Sequence, residues 1–157
     1  MTNLAHYKAQ SKRKLKMTDA IINKSVFFAA SRETVWAYLT EKDKLAEWFH
    51  PAESDLVENQ DYALIRKQDD GSVKKQCWGT VLEMDKPSRL VYTFTIKPLG
   101  GAMTTVTWTL KEAHGGTKLS LEHEGIGAAA GEAAMNLLMV LDVGWDKHLA
   151  SLRSSIA

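Results

Sequence analysis

Residues 132–156 read EAAMNLLMVLDVGWDKHLASLRSSI. Ala134, Leu138, Leu141, Trp145, Leu149, Leu152 and Ile156 recur there every three or four positions. That spacing sets them on one face of a helix. It predicts the longest helix of the chain over 132–155, with Met135 and Met139 flanking the stripe. A helix with one apolar face must bury that face against another layer, so the segments before it decide the fold.

Those segments have a different period. Over 89–96, Leu90, Tyr92 and Phe94 alternate with Val91, Thr93 and Thr95. Over 103–110, Val106, Trp108 and Leu110 alternate with Thr105, Thr107 and Thr109. Leu119, Leu121 and His123 share a face of the next run. Alternation of this kind is a strand signal. Residues 62–65 and 73–84 add two more strands, the second interrupted by Gly79, which is expected to mark a bulge. The turns at 69–72, 86–88, 98–101 and 113–116 are short, which favours antiparallel neighbours in a meander. Residues 125–131, GIGAAAG, read as a hinge before the long helix.

Upstream, 21–28 reads as the opening strand. Ser31 is placed to cap a helix over 32–40, with Glu33 in its first turn. A second short helix covers 41–48 and stops before Pro51, because a residue preceding proline is driven out of the helical region. The stretch LAEWFHPAESD, 45–55, gathers Trp48, Phe49 and His50 at that stop. The whole is an α+β domain: five or six antiparallel strands against one long helix.

Length and composition fit this picture. The 157 residues suit one domain, here 21–157, preceded by a basic leader over 1–20. That leader holds five of the 20 Lys and Arg residues against Asp19, and the rest of the chain carries 15 basic and 18 acidic groups. No basic stripe interleaved with aromatics follows, so nucleic acid is not an expected partner. Cys77 is the single cysteine, so no internal disulfide forms. No apolar run approaches the ~20 residues of a membrane span, and no secretory signal opens the chain, so a cytoplasmic protein is expected. Neither a phosphate-binding glycine loop nor a His/Cys metal cluster appears, so no cofactor and no metal are expected.

Four pieces of the sequence, in order, resemble a known family: FFAASRETVWAYLTEKDKLAEWF, WGTVLEMDKPSRLVYTF, GGTKLSLEHEG and GWDKHLASLR. They resemble the heat-shock-protein ATPase activator homology family, within the START-like, helix-grip superfamily. The resemblance implies a curved antiparallel sheet gripping a long C-terminal helix, with two short helices after the first strand. It also implies a cavity between sheet and helix. Eukaryotic namesakes stimulate a chaperone ATPase, and some superfamily relatives bind lipids, polyketides or other hydrophobic molecules.

Three functions follow as expectations. The first is a binding module for a small hydrophobic or amphipathic ligand, lined by Trp48, Phe49, Tyr62, Trp78, Tyr92, Phe94, Trp108, His123, Met135, Met139 and Asp142. For the aromatics the alternative is plain core, for the methionines core filling, and for Asp142 a solvated helix edge. The second is a protein-interaction or chaperone-cofactor domain, monomeric or homodimeric. The third, an enzyme of the cyclase or hydrolase kind, requires His123 and Asp142 to converge in the cavity. His50 reads as a helix-end residue, and Cys77 has no base at a readable spacing.

Overall fold

The computed structural model describes residues 19–157. The basic leader lies outside them, apart from Asp19 and Ala20. The chain runs β1 (Ile22–Phe28), α1 (Arg32–Thr40), α2 (Lys42–Trp48), β2 (Asp61–Lys67), β3 (Val73–Asp85), β4 (Arg89–Phe94), β5 (Thr104–Ala113), β6 (Gly116–Glu124), α3 (Ile126–Ala130) and α4 (Ala134–Ile156). Six strands form one antiparallel sheet in the order β1-β6-β5-β4-β3-β2. This is the helix-grip arrangement: a meander from β2 to β6, closed by β1, with α4 against one face.

The alternation sets that face. Leu90, Tyr92, Phe94, Val106, Trp108, Leu110, Leu119, Leu121 and His123 are all buried. From the helix side, Leu137, Trp145, Leu149 and Leu152 meet them. The buried stripe differs slightly from the predicted one: Leu137 takes the inner position, while Leu138 and Leu141 sit half-buried at its edge. The stretch read as a hinge is ordered into α3 and one 3-10 turn at Gly131–Ala133. Ile126, fully buried, pins it to the core, and the alanines after it are strong helix formers.

Gly79 marks no bulge. Tyr62 pairs with it across β2 and β3 and donates its hydroxyl to the Thr93 carbonyl on β4 at 2.7 Å. A Cβ at residue 79 would lie 2.0 Å from that same oxygen, so only glycine lets the chains approach. One register shift, against β4, falls between Val81 and Glu83, and another falls beside Leu64, which pairs with Cys77 while Ile65 pairs with Lys75. Gln76 is the extra residue.

The corner at 45–55 is tied down at several points. Asp55 caps α2 by accepting from the Lys42 amide at 2.8 Å. Ile65 donates to the Pro51 carbonyl at 2.7 Å, and Leu56 to the Thr40 carbonyl at 2.9 Å. Ser31 caps α1 through the Thr34 amide, as the sequence pattern requires. The hairpin between β5 and β6 turns on His114 and Gly115, both at positive φ, the form that matches strand twist.

By length and apolarity alone, the helical stretch Ile126–Ile156 is able to cross a membrane. In this fold its residues Trp145, Leu149 and Leu152 belong to the core. Its other face leaves Met135, Met139, Val140 and Val143 exposed.

Candidate functional site

Where the end of α2 meets α4 and the edges of β3 and β4, the core does not close. A partly open cavity of about 170 Å³ remains. Phe49, Phe94, Ile96, Leu141 and Trp145 form its apolar walls. His50, Gln76 and His148 bring polar groups, and Cys77 and Gly144 complete the lining. A broader groove of about 470 Å³ lies between β1 and α4, with Lys24, Asp146 and Arg153 in its walls. The smaller cavity is the candidate site, because its walls are aromatic and its polar groups converge, the pattern of small-molecule sites.

Each lining residue has a local cause. Pro51 stops α2, which leaves Phe49 and His50 at the corner facing α4. Phe49 stacks on Trp48 at 5.1 Å, lies 5.3 Å from Trp145 and meets the His148 ring edge-on at 4.5 Å. The bulge in β3 sets Gln76 beside Cys77 at the cavity. Gly144 and His148 lie one turn apart on α4, either side of the Trp145 ring. A Cβ at Gly144 would meet nothing within 4 Å, so no close contact requires glycine there. Glycine inside a helix costs about 1 kcal/mol relative to alanine, and here it keeps the cavity open.

The ionisable groups at the site are neutral near pH 7. Burial, then the proximity of His148 and Arg66, lowers the His50 imidazole to about 4. Burial also lowers His148, opposed by the Trp48 carbonyl within reach of its ring. The Cys77 thiol is pushed well above its ordinary range by burial alone and stays protonated. The cavity therefore presents no formal charge.

Behind it stands a second, sealed polar element. Trp145 Nε1 donates to His123 Nδ1 at 3.0 Å. The neutral ring must then carry its proton on Nε2, which faces Thr104 Oγ1 at 2.7 Å. Thr104 passes the chain on by donating to the Phe94 carbonyl at 2.6 Å. Every donor in this relay has an acceptor. A second proton on His123 would face the Trp145 N–H, and burial holds the imidazole down at about 4.

The expected site residues divide accordingly. Phe49 and Phe94 line the cavity. Trp48, Tyr92, Trp108 and His123 lie behind it in the core: Trp48 donates to the Tyr38 carbonyl at 2.7 Å and Trp108 to the Tyr92 hydroxyl at 2.9 Å. Tyr62 is buried further along, 4.9 Å from the Tyr92 ring. Trp78 is on the opposite face of the sheet, paired with Ala63 and bridged to Thr95. Met135 and Met139 point outward, 65% and 61% exposed, because the buried stripe runs through Leu137 and Trp145 instead. Asp142 is solvated and binds Lys24 of β1 at 2.6 Å, so it does not converge with His123. Among the described residues, no three His, Cys, Asp or Glu side chains gather to hold a metal ion.

His50, Gln76, Cys77, Ile96, Leu141, Gly144, Trp145 and His148 are cavity residues that were not among those expected. One signal was available for His148, three positions after Trp145 on the same helical face. None was available for Gln76, which depends on a bulge.

Residues 29–157 match the family described as Activator of Hsp90 ATPase homolog 1-like protein. The chain belongs to that family. No curated protein sequence matches it. Among solved structures it is similar to MLL2253 from Mesorhizobium loti, at 21% identity and TM-score 0.68, over 87% of this chain and 96% of that one. CalU16 from Micromonospora echinospora is similar at 23% identity and TM-score 0.67, over 88% and 85%. DynU16, from the dynemicin biosynthetic locus, is similar at 21% identity and TM-score 0.68, but 85% of this chain matches only 46% of that one. At these identities the likeness is one of fold.

Proposed function

We propose that the 21–157 domain is a binding module that holds a small hydrophobic molecule in the cavity between α2, α4 and the edges of β3 and β4. The observation that carries this reading is Gly144. At a mid-helix position where alanine would be more stable, the chain keeps an empty space against an aromatic wall. A core built only for stability would fill it. No charged group or activated nucleophile lines the space, which favours binding over catalysis.

Gly144→Leu tests it. The substitution should fill the cavity, keep or raise stability, and abolish the binding of small aromatics seen with the parent protein. The measurements are thermal shift and native mass spectrometry of the purified chain. If Gly144→Leu binds every probe as the parent does, the cavity is not the site.

A second reading rests on a separate observation, the exposed apolar row Met135, Met139, Val140 and Val143 on α4. A row of this kind fits a protein partner, and the family description points to a chaperone ATPase. The direct check is the ATPase rate of Hsp90 with and without the chain. Stimulation lost in Met139→Asp but kept in Gly144→Leu would establish the partner reading.

A further inference from the structure

We propose that the cavity takes an uncharged, single-ring aromatic molecule that donates a hydrogen bond, such as a phenol or an N–H heteroaromatic, and that His148 receives it. This rests on the binding-module reading above and names its ligand class.

Size sets the first limit. The space is about 170 Å³. An apolar cavity of about 150 Å³ holds one benzene ring, whereas drug-sized ligands need roughly 300 Å³ or more. A diacyl lipid or a fused polyketide does not fit. One ring with a short substituent does.

Wall chemistry sets the second. Phe49, Phe94 and Trp145 offer ring faces and edges on several sides, and aromatic pairs favour such offset or edge contacts. Charge sets the third. No lining residue is Asp, Glu, Lys or Arg. A carboxylate or ammonium ligand would lose its hydration with no counter-charge in the lining, since Arg66, whose charge is felt at His50, stands outside it.

The fourth limit is the balance of donors and acceptors. The Trp145 N–H is already given to His123, so it is not available to a ligand. His148 is a neutral imidazole, so one ring nitrogen carries an N–H, and the backbone of Trp48 lies near its ring. The other nitrogen is then a lone pair. His50, 5.4 Å away, adds a second neutral imidazole. Imidazole lone pairs are matched by a ligand O–H or N–H, which a plain hydrocarbon lacks.

The test compares four probes on the full chain by thermal shift and Trp fluorescence: p-cresol, pyrrole, toluene and benzoate. We expect p-cresol and pyrrole to bind, toluene to bind at least about ten-fold more weakly than p-cresol, as loss of one hydrogen bond predicts, and benzoate not to bind. In His148→Phe the preference for p-cresol over toluene should collapse to within about two-fold while toluene still binds. Toluene binding as tightly as p-cresol to the parent protein would overturn the ligand class and leave the module standing. That comparison needs no variant to fold. Preferential benzoate binding would also overturn it, in favour of an anion site. Binding of none of the four would remove both the class and the binding-module reading beneath it.

Discussion

Two sets of histidines flank one tryptophan, and they differ in what they leave unsatisfied. His123 lies 6.0 Å from the Trp145 ring and His148 lies 6.2 Å from it. Burial lowers the pKa of both. His123 is fully buried, and both of its nitrogens are bonded within the domain. His148 and His50 are half-buried at a cavity, with lone pairs to offer. The comparison teaches that a shifted histidine is not by itself a functional one. The one with the more complete environment is structural, and the less complete pair marks the proposed site.

Removing the shared tryptophan should have the largest effect. Trp145 is 2% exposed, packs on Trp108 at 5.6 Å and Phe49 at 5.3 Å, and holds His123. Trp145→Ala should cost about 3–5 kcal/mol in urea unfolding, from lost burial plus the cavity left behind. It should also merge the sealed and open sides and expose His123. A loss below about 1 kcal/mol would mean that Trp145 is not the knob joining helix and sheet.

How much of this was legible beforehand follows from range. The sheet was, because strand alternation is local and Leu90, Tyr92, Phe94 and Trp108 needed only their neighbours to declare a face. Leu119, Leu121 and His123 were assigned to one inner face in the same way. The cavity was not, because it depends on events that periodicity does not record. The bulge that adds Gln76 depends on pairing with β2. The meeting of His50 with His148 depends on where α2 stops against α4. Met135 and Met139 were misplaced because a stripe read at steps of three or four leaves one residue's freedom, about 100° of rotation, in choosing Leu137 or Leu138 as its centre. Asp142 was drawn away by Lys24, a partner on β1 that no local pattern reveals.

Acid should separate the two sets next. His123 ordinarily titrates near 6.5 and is held at about 4 in the fold. Between those values the unfolded chain binds a proton that the folded chain refuses. Stability is therefore full above pH 6.5, falls as pH drops through the window, and has lost this contribution below about pH 4. The integrated loss is about 3 kcal/mol for a fully buried group. His50 and His148 add to it in the same direction but by less, since solvent screens them. Chemical denaturation at pH 7, 5.5 and 4 measures the slope. A slope unchanged in His123→Leu would assign the acid sensitivity to the rim pair or to other groups.

The smallest expected effects are the most discriminating, because they set one residue type against itself. His123→Leu is close to the original in volume, yet it leaves the Trp145 N–H buried with no acceptor. An orphaned buried donor costs about 1–3 kcal/mol. Thr104 is spared, since its hydroxyl still donates to the Phe94 carbonyl. His148→Leu keeps apolar contact with Phe49 and gives up only the approach of its ring to the Trp48 carbonyl, so it should cost at most about 1 kcal/mol. In ligand binding the order reverses. His148→Leu should lose the preference for a hydrogen-bond donor, whereas His123→Leu should keep it as long as the domain remains folded. Equal stability losses from the two substitutions would erase the distinction between a sealed relay and an open rim, and with it the reason for placing the site at His148.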